Sequence, residues 1–150
     1  MKKWKIYVIF IVLTLLIGVI SGFISMGDMQ EYATLEKPLL SPPAWLFPVV
    51  WTVLYVFMGI GAARVYIKTQ SVPWSYVIQL VFNFFWSIIF FNFGDYLFAF
   101  VWLLALLIFV IIMVIRFYSV DRLAGLLQIP YILWLLFAGY LNFMVYLLNR

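Results

Sequence analysis

Polar and charged residues in this chain fall in short clusters, and between them the sequence runs apolar for about 20 residues at a time, the length of a membrane span. Five such runs lie at about residues 6–25, 45–66, 74–93, 96–115 and 123–148. At about 1.5 Å rise per residue, each is long enough as a helix to cross about 30 Å of hydrocarbon. Lipid offers no partner for backbone N–H and C=O groups, so helices, which satisfy their own, are the expected elements. A barrel would show short alternating segments, and these runs are continuous. The pattern predicts an all-α integral membrane bundle of five transmembrane helices, a single domain over residues 1–150.

The charges between the runs predict an orientation. With the N-terminus inside, the inner side carries Lys2, Lys3, Lys5, Arg64, Lys68, Arg116 and Arg122, and the outer side only Lys37 and Arg150. That asymmetry predicts N-in, C-out. Three connections are very short. The exception, residues 26–44, carries Asp28, Glu31 and Glu36 and then Pro38, Pro42 and Pro43. Prolines that dense exclude regular helix and favour a stiff, extended strap. A loop of that length is either a lid over a binding site or a passive connector.

Composition narrows the chemistry. Of 150 residues, 69% are hydrophobic and 9% charged, far from the roughly 25% charge of a soluble domain. The chain has no Cys and no His, which excludes disulfides, zinc sites, iron–sulfur clusters and Ser–His–Asp or Cys–His machinery within one chain. Five acids, Asp28, Glu31, Glu36, Asp95 and Asp121, are too few and too scattered for a carboxylate metal cluster or an acid–base pair. Neither a metal nor a resident cofactor is expected. The net charge of +4 is dispersed between apolar runs, so nucleic acid is not an expected partner and the lipid bilayer is. Lys2, Lys3 and Lys5 before an apolar run imitate a signal peptide. The run continues for about 20 residues without a clear small-x-small cleavage site, and we read it as a retained first span.

Several constellations within the spans stand out. Trp51 and Tyr55 sit at i and i+4 on one face of the second helix, where Trp51 is a candidate pocket wall and Trp45 an interfacial anchor. Asn83, with Trp86 at i+3, is an amide in hydrocarbon; it faces either a cavity or a partner on another helix. Trp134, Ala138 and Asn142 recur at i, i+4 and i+8, a stripe that suits a flat apolar ligand with a few polar atoms or ordinary helix packing. Pro130 is expected to kink the last helix. Gly18 with Gly22, and Gly59 through Ala63, read as close helix–helix contacts without chemistry. Leu141, Tyr146 and Arg150 fit a loose sterol-contact pattern that any apolar helix with a basic end satisfies.

Taken together, Lys37-Pro38, Pro42-Pro43-x-Trp45, Val50-Trp51-Thr52-x-Leu54-Tyr55, Asn83-x-x-Trp86, Phe90-Phe91, Pro130-Tyr131-x-x-Trp134, Phe137-Ala138 and Leu141-Asn142 resemble, in order and over essentially the whole chain, the translocator protein family. Its members are also called tryptophan-rich sensory proteins or peripheral-type benzodiazepine receptors. The resemblance implies a five-helix bundle, often a homodimer, with a pocket roofed by the loop between the first two helices. It implies porphyrin ligands such as protoporphyrin IX, and a pocket made by Tyr32, Trp51, Tyr55, Asn83, Trp86, Trp134, Ala138 and Asn142. For some bacterial relatives it implies light-dependent porphyrin breakdown, with Trp51 and Trp134 as the reactive pair. A bacterial plasma membrane is the expected location. The competing reading is a transporter of tetrapyrroles or sterols. Against it, transporters show paired repeats and mid-membrane charges, and five spans do not divide into equal halves.

Overall fold

The computed structural model describes residues 1–26, 28 and 32–150. Of the loop acids, Glu31 lies outside the described residues. The helices are α1 (Lys3–Met26), α2 (Leu46–Thr69), α3 (Trp74–Ser87), α4 (Tyr96–Val120), α5 (Arg122–Leu126) and α6 (Ile129–Asn149), with a π-helical turn, Ile88–Asn92, closing α3. They make five elements long and apolar enough to span a membrane: α1, α2, Trp74–Asn92, α4 and Arg122–Asn149.

Local chemistry sets the helix ends. Gln70 turns left-handed, with φ 59°, and stops α2. Gly94, with φ 65°, breaks the chain between the π turn and α4. The Asp95 carboxylate then caps α4 by accepting from the Phe98 N–H at 3.0 Å. Asp121 does the same for α5, accepting from the Ala124 N–H at 2.9 Å.

Two expectations about the spans need correction. The last span is not one kinked helix. It breaks between Leu126 and Ile129, and Pro130 falls in the first turn of α6, where its missing N–H is not needed. The Gln128 side chain braces the break by donating to the Phe57 carbonyl at 2.8 Å. The third span is not α-helical to its end either, because its last five residues form the π turn.

The tightest packing joins α1 to α2, α3 to α4, and α4 to α6. α4 is the central post; Leu103, Leu106, Val110, Met113 and Phe117, spaced three or four apart, are all essentially inaccessible. In lipid the hydrophobic effect does not drive helices together, so close contact rests on small residues and hydrogen bonds. Gly59, on α2, meets α1 backbone to backbone, and Gly61 meets Gln128 and Phe117. Between helices, Thr14 bonds Tyr76, Ser21 bonds Ser87, and the Trp102 indole donates to the Phe82 carbonyl at 2.8 Å. Val8, Val12, Leu16, Val19 and Phe23 leave one side of α1 apolar and outward, as a lipid-facing surface requires.

A buried carboxylate ties the end of the bundle away from the long loop. Asp121 accepts from Arg64 Nε at 2.9 Å and Nη2 at 3.1 Å, and pairs with Lys68 Nζ at 2.8 Å.

Candidate functional site

A cavity of about 690 Å³ opens at the loop end of the bundle, within the range of small-molecule sites. α1 contributes Leu15, Gly18, Gly22 and Ser25, and α2 contributes Phe47, Trp51, Thr52 and Tyr55. α3 with its π turn supplies Asn83, Trp86, Phe90 and Phe91; α6 supplies Trp134, Ala138, Leu141, Asn142 and Val145. Tyr32, Ala33, Lys37, Pro42 and Ala44 of the loop complete the wall. All eight residues singled out from the sequence stand on this one cavity. Trp45 does not, and its 65% exposure suits an interfacial position.

Aromatic geometry dominates the wall. The Trp51 ring stacks on Tyr55 with centroids 5.6 Å apart, the contact expected one helical turn on. It meets the Trp134 ring edge-to-face at 6.4 Å and an interplanar angle of 90°. Phe47 packs edge-on to Trp134 at 5.8 Å, and Trp86 stacks on Phe90 at 5.3 Å. Two indoles from the second and last spans thus meet across the interior.

Both amides on the wall are committed to neighbours. Asn83 accepts from the Tyr55 hydroxyl at 2.6 Å and donates to the Tyr131 hydroxyl at 2.7 Å; Tyr131 in turn donates to Gln79 at 2.8 Å. Tyr55 and Asn83 are the deepest lining residues of their helices, and Tyr131 and Gln79 lie beneath them, so this network forms the floor. Asn142 accepts from the Trp86 indole at 3.1 Å and donates to the Tyr96 carbonyl at 2.8 Å. Asn83 and Asn142 therefore both line the cavity and bond between helices. A different donor is unmatched. Trp134 Nε1 is buried without a hydrogen-bond partner, and among the described residues no other such side-chain atom belongs to a cavity-lining residue. The nitrogen is covered by protein, so the indole meets the cavity through its ring and not through this donor.

The loop is fastened over this space. Tyr32 packs edge-on to Phe90 and Phe91 at 5.6 and 5.4 Å, a corner that the π turn creates by presenting two successive rings. Burial pushes the Tyr32 phenol above its usual range, and Tyr96 adds to the shift. Lys37 lies over the Tyr32 ring at 4.9 Å and donates to the Ala33 and Leu35 carbonyls at 3.2 and 3.3 Å. Asn149 locks the backbone of Glu36 from both sides, at 3.0 and 2.8 Å. Among the described residues no carboxylate lines the cavity, and Lys37 is its cation.

Lys37, Phe90 and Phe91 entered the sequence analysis only as motif residues, and their place on the wall was not legible because neither the loop path nor the π turn has a periodic signal. Phe47 was missed although it precedes Trp51 and Tyr55 at the same four-residue spacing on α2. Gly22 needs correction. It was expected to make a close helix–helix contact within the protomer or between protomers; within the protomer a Cβ there would meet nothing within 4 Å, and the residue lines the cavity. Its neighbour at i−4, Gly18, does pack, because the Tyr55 ring occupies the space a Cβ would need.

Comparison with known proteins places the chain in a family. The sequence profile of the TspO/MBR family matches residues 10–147. The tryptophan-rich protein TspO of Archaeoglobus fulgidus is 40% identical over 147 residues, covering 93% of this chain and 94% of its own length. The tryptophan-rich sensory protein of Cereibacter sphaeroides is 36% identical over 80% of this chain and 77% of its own. The human translocator protein is 34% identical over 84% of this chain and 79% of its own. A profile match over nearly the whole length, together with relatives 34–40% identical over most of the chain, shows that the chain belongs to the TspO/MBR family.

Proposed function

We propose that this multi-pass membrane protein is a receptor that holds a porphyrin, with protoporphyrin IX as the type ligand, in the cavity beneath its loop. The observation that carries the reading is the Trp51–Trp134 pair, two indoles at right angles on one apolar wall. A macrocycle offers a broad face for ring stacking. Lys37, at the cavity edge, offers a positive charge for a propionate carboxylate. With no His or Cys in the chain, the metal-free porphyrin is the better guest than an iron one. The hydrogen-bonded floor of Tyr55, Asn83, Tyr131 and Gln79 supports capture over passage through the bundle. Light adds a second activity. A photoexcited porphyrin takes one electron from an adjacent indole and passes it to dioxygen, which becomes superoxide while the porphyrin returns to its starting charge and the indole radical cation loses its N–H proton. The reactive oxygen formed beside the macrocycle adds to it and breaks it, so dioxygen is the net oxidant.

The test is a titration of the detergent-solubilised protein with protoporphyrin IX, followed by porphyrin absorbance in the dark and then under illumination. Trp51→Phe and Trp134→Phe are each expected to weaken binding about 2- to 12-fold, the worth of one aromatic contact. The double variant is expected to bleach the porphyrin no faster than detergent alone. Unchanged affinity and unchanged bleaching in the double variant would overturn the proposal.

A steric variant probes the same cavity without touching an aromatic ring. Gly22→Leu puts a side chain where a Cβ has open space. It is expected to weaken porphyrin binding about tenfold or more, as overfilling a packed site does, while the melting temperature stays at or above wild type because glycine is a poor helix former. Full affinity in Gly22→Leu would show that the ligand sits elsewhere.

A further inference from the structure

The cavity leaves unexplained a cluster of charge at the opposite end of the bundle. A cleft of about 440 Å³ there is lined by Arg64, Lys68, Asp121, Arg122, Leu123 and Leu126. We propose that this cleft binds the phosphate headgroup of an anionic phospholipid, with the acyl chains lying along Leu123 and Leu126.

Charge is the first reason. Three cations surround one carboxylate, so the cleft carries a net charge of about +2 with Asp121 ionised. The Asp121 side chain is 3% exposed and already accepts from two nitrogens of Arg64, from Lys68 and from the Ala124 N–H. Its acceptor capacity is used within the protein. Arg122 is exposed at the cleft, and among the described residues no carboxylate pairs with it. A plain structural ion pair needs one cation; a second and third crowded beside it repel one another until an anion arrives.

Preorganisation is the second. Arg64 is held by two bonds to Asp121, and Lys68 spends one of its three donors there. Their side chains remain 32% and 54% exposed, so the fixed cations still face an incoming group. Arginine forks and lysine point charges are the side chains that recognise phosphate.

Position decides the source of the phosphate. Lys68 is the penultimate residue of α2 and Arg122 is the first of α5, so the cluster sits where spans leave the hydrocarbon. Leu123 and Leu126, at i and i+3, are each 47% exposed beside it. A basic cleft with an apolar rim at that depth matches a phospholipid, whose phosphate and chains are covalently joined, better than a free anion.

The test uses the full chain in detergent, with bound lipid counted by native mass spectrometry after equilibration with phosphatidylglycerol or phosphatidylcholine. Wild type is expected to retain phosphatidylglycerol at least about fivefold better than phosphatidylcholine. Lys68→Gln/Arg122→Gln is expected to lose that preference. Arg122→Gln alone, which leaves every bond to Asp121 in place, is expected to reduce it by about half or more with an unchanged melting temperature. A third arm adds millimolar inorganic phosphate. Retention of the lipid supports the proposal, and its displacement would reassign the site to a free phosphate. Equal retention of the two lipids by wild type, or an undiminished preference in the double variant, would overturn the proposal. None of these readouts depends on porphyrin.

Discussion

Gly59→Val is expected to lower the melting temperature of the detergent-solubilised protein sharply. An ideal Cβ at Gly59 would stand 2.6 Å from the Ile11 Cα, 2.9 Å from the Ile11 N and 3.0 Å from the Phe10 carbonyl oxygen. All three are backbone atoms of α1. A side chain can rotate away from a new methyl group, but a helix backbone moves only as a body. α1 must therefore retreat from α2 along the tightest interface of the bundle, where Phe10 and Met58 are buried. Lipid does not push the two helices back together, so the lost contact is not made up elsewhere. Overpacking by a methyl group costs about 1–3 kcal/mol, and a branched valine falls at or beyond the top of that range. Gly22→Ala, one helix away on the open cavity wall, is the control, with a change within about 0.5 kcal/mol. If Gly59→Val melts with wild type, the close α1–α2 approach does not exist in solution.

The contrast between Gly59 and Gly22 shows where sequence reasoning stops. Both sit in small-residue patterns that read alike along the chain, because spacing reports which face of a helix a residue occupies and not what stands opposite. The same distinction runs through the site. Trp51 above Tyr55, and Trp134 with Ala138 and Asn142, were legible because a period of about 3.6 residues fixes neighbours on one helix. Five spans were legible because length and apolarity are local quantities. That Asn83 would be shared by Tyr55 and Tyr131 was not, since those partners are 28 and 48 residues away. In lipid the difficulty grows, because outward and inward faces are both apolar and contrast between them is weak; on α2 the buried side mixes Gly59, Gly61, Ala62 and Ala63 with Leu54, Met58 and Val65, while Val49 and Val53 face outward. The π turn at Ile88–Asn92 leaves no trace in composition either, yet it sets Phe90 and Phe91 against Tyr32. Pro130 misled for a related reason. Its effect depends on whether the helix has already begun, and the break that makes it an initiator is braced by Gln128 reaching to Phe57.

Arg64, Lys68 and Arg122 entered the sequence reading only as topology signals, and Asp121 only as an acid too isolated for catalysis. In the fold, Asp121→Asn is expected to destabilise the bundle by about 1–3 kcal/mol at pH 7. Asparagine keeps an oxygen for the Ala124 N–H cap, so the variant isolates the loss of charge from the loss of the cap. Removing one partner of a fully buried pair costs about 3–5 kcal/mol, but Arg64 and Lys68 are 32% and 54% exposed and water screens them, which lowers the expectation. The pH dependence follows from the same bonds. The hydrogen bond from Arg64, helped by Lys68 and the Ala124 N–H and opposed by burial, holds the Asp121 carboxyl well below the usual carboxylate range. A carboxyl depressed in the folded state contributes stability that is complete above the unfolded value of about 4 and fades as pH falls toward the folded one. Wild type is therefore expected to lose melting temperature steadily from about pH 5 downward. Asp121→Asn, already without that contribution, is expected to start lower at pH 7 and to fall less over the same interval, so that the two curves converge in acid. Parallel curves at all pH values would mean that the clamp between α2 and the start of α5 carries no proton-linked stability, and equal melting at pH 7 would mean that it carries none at all.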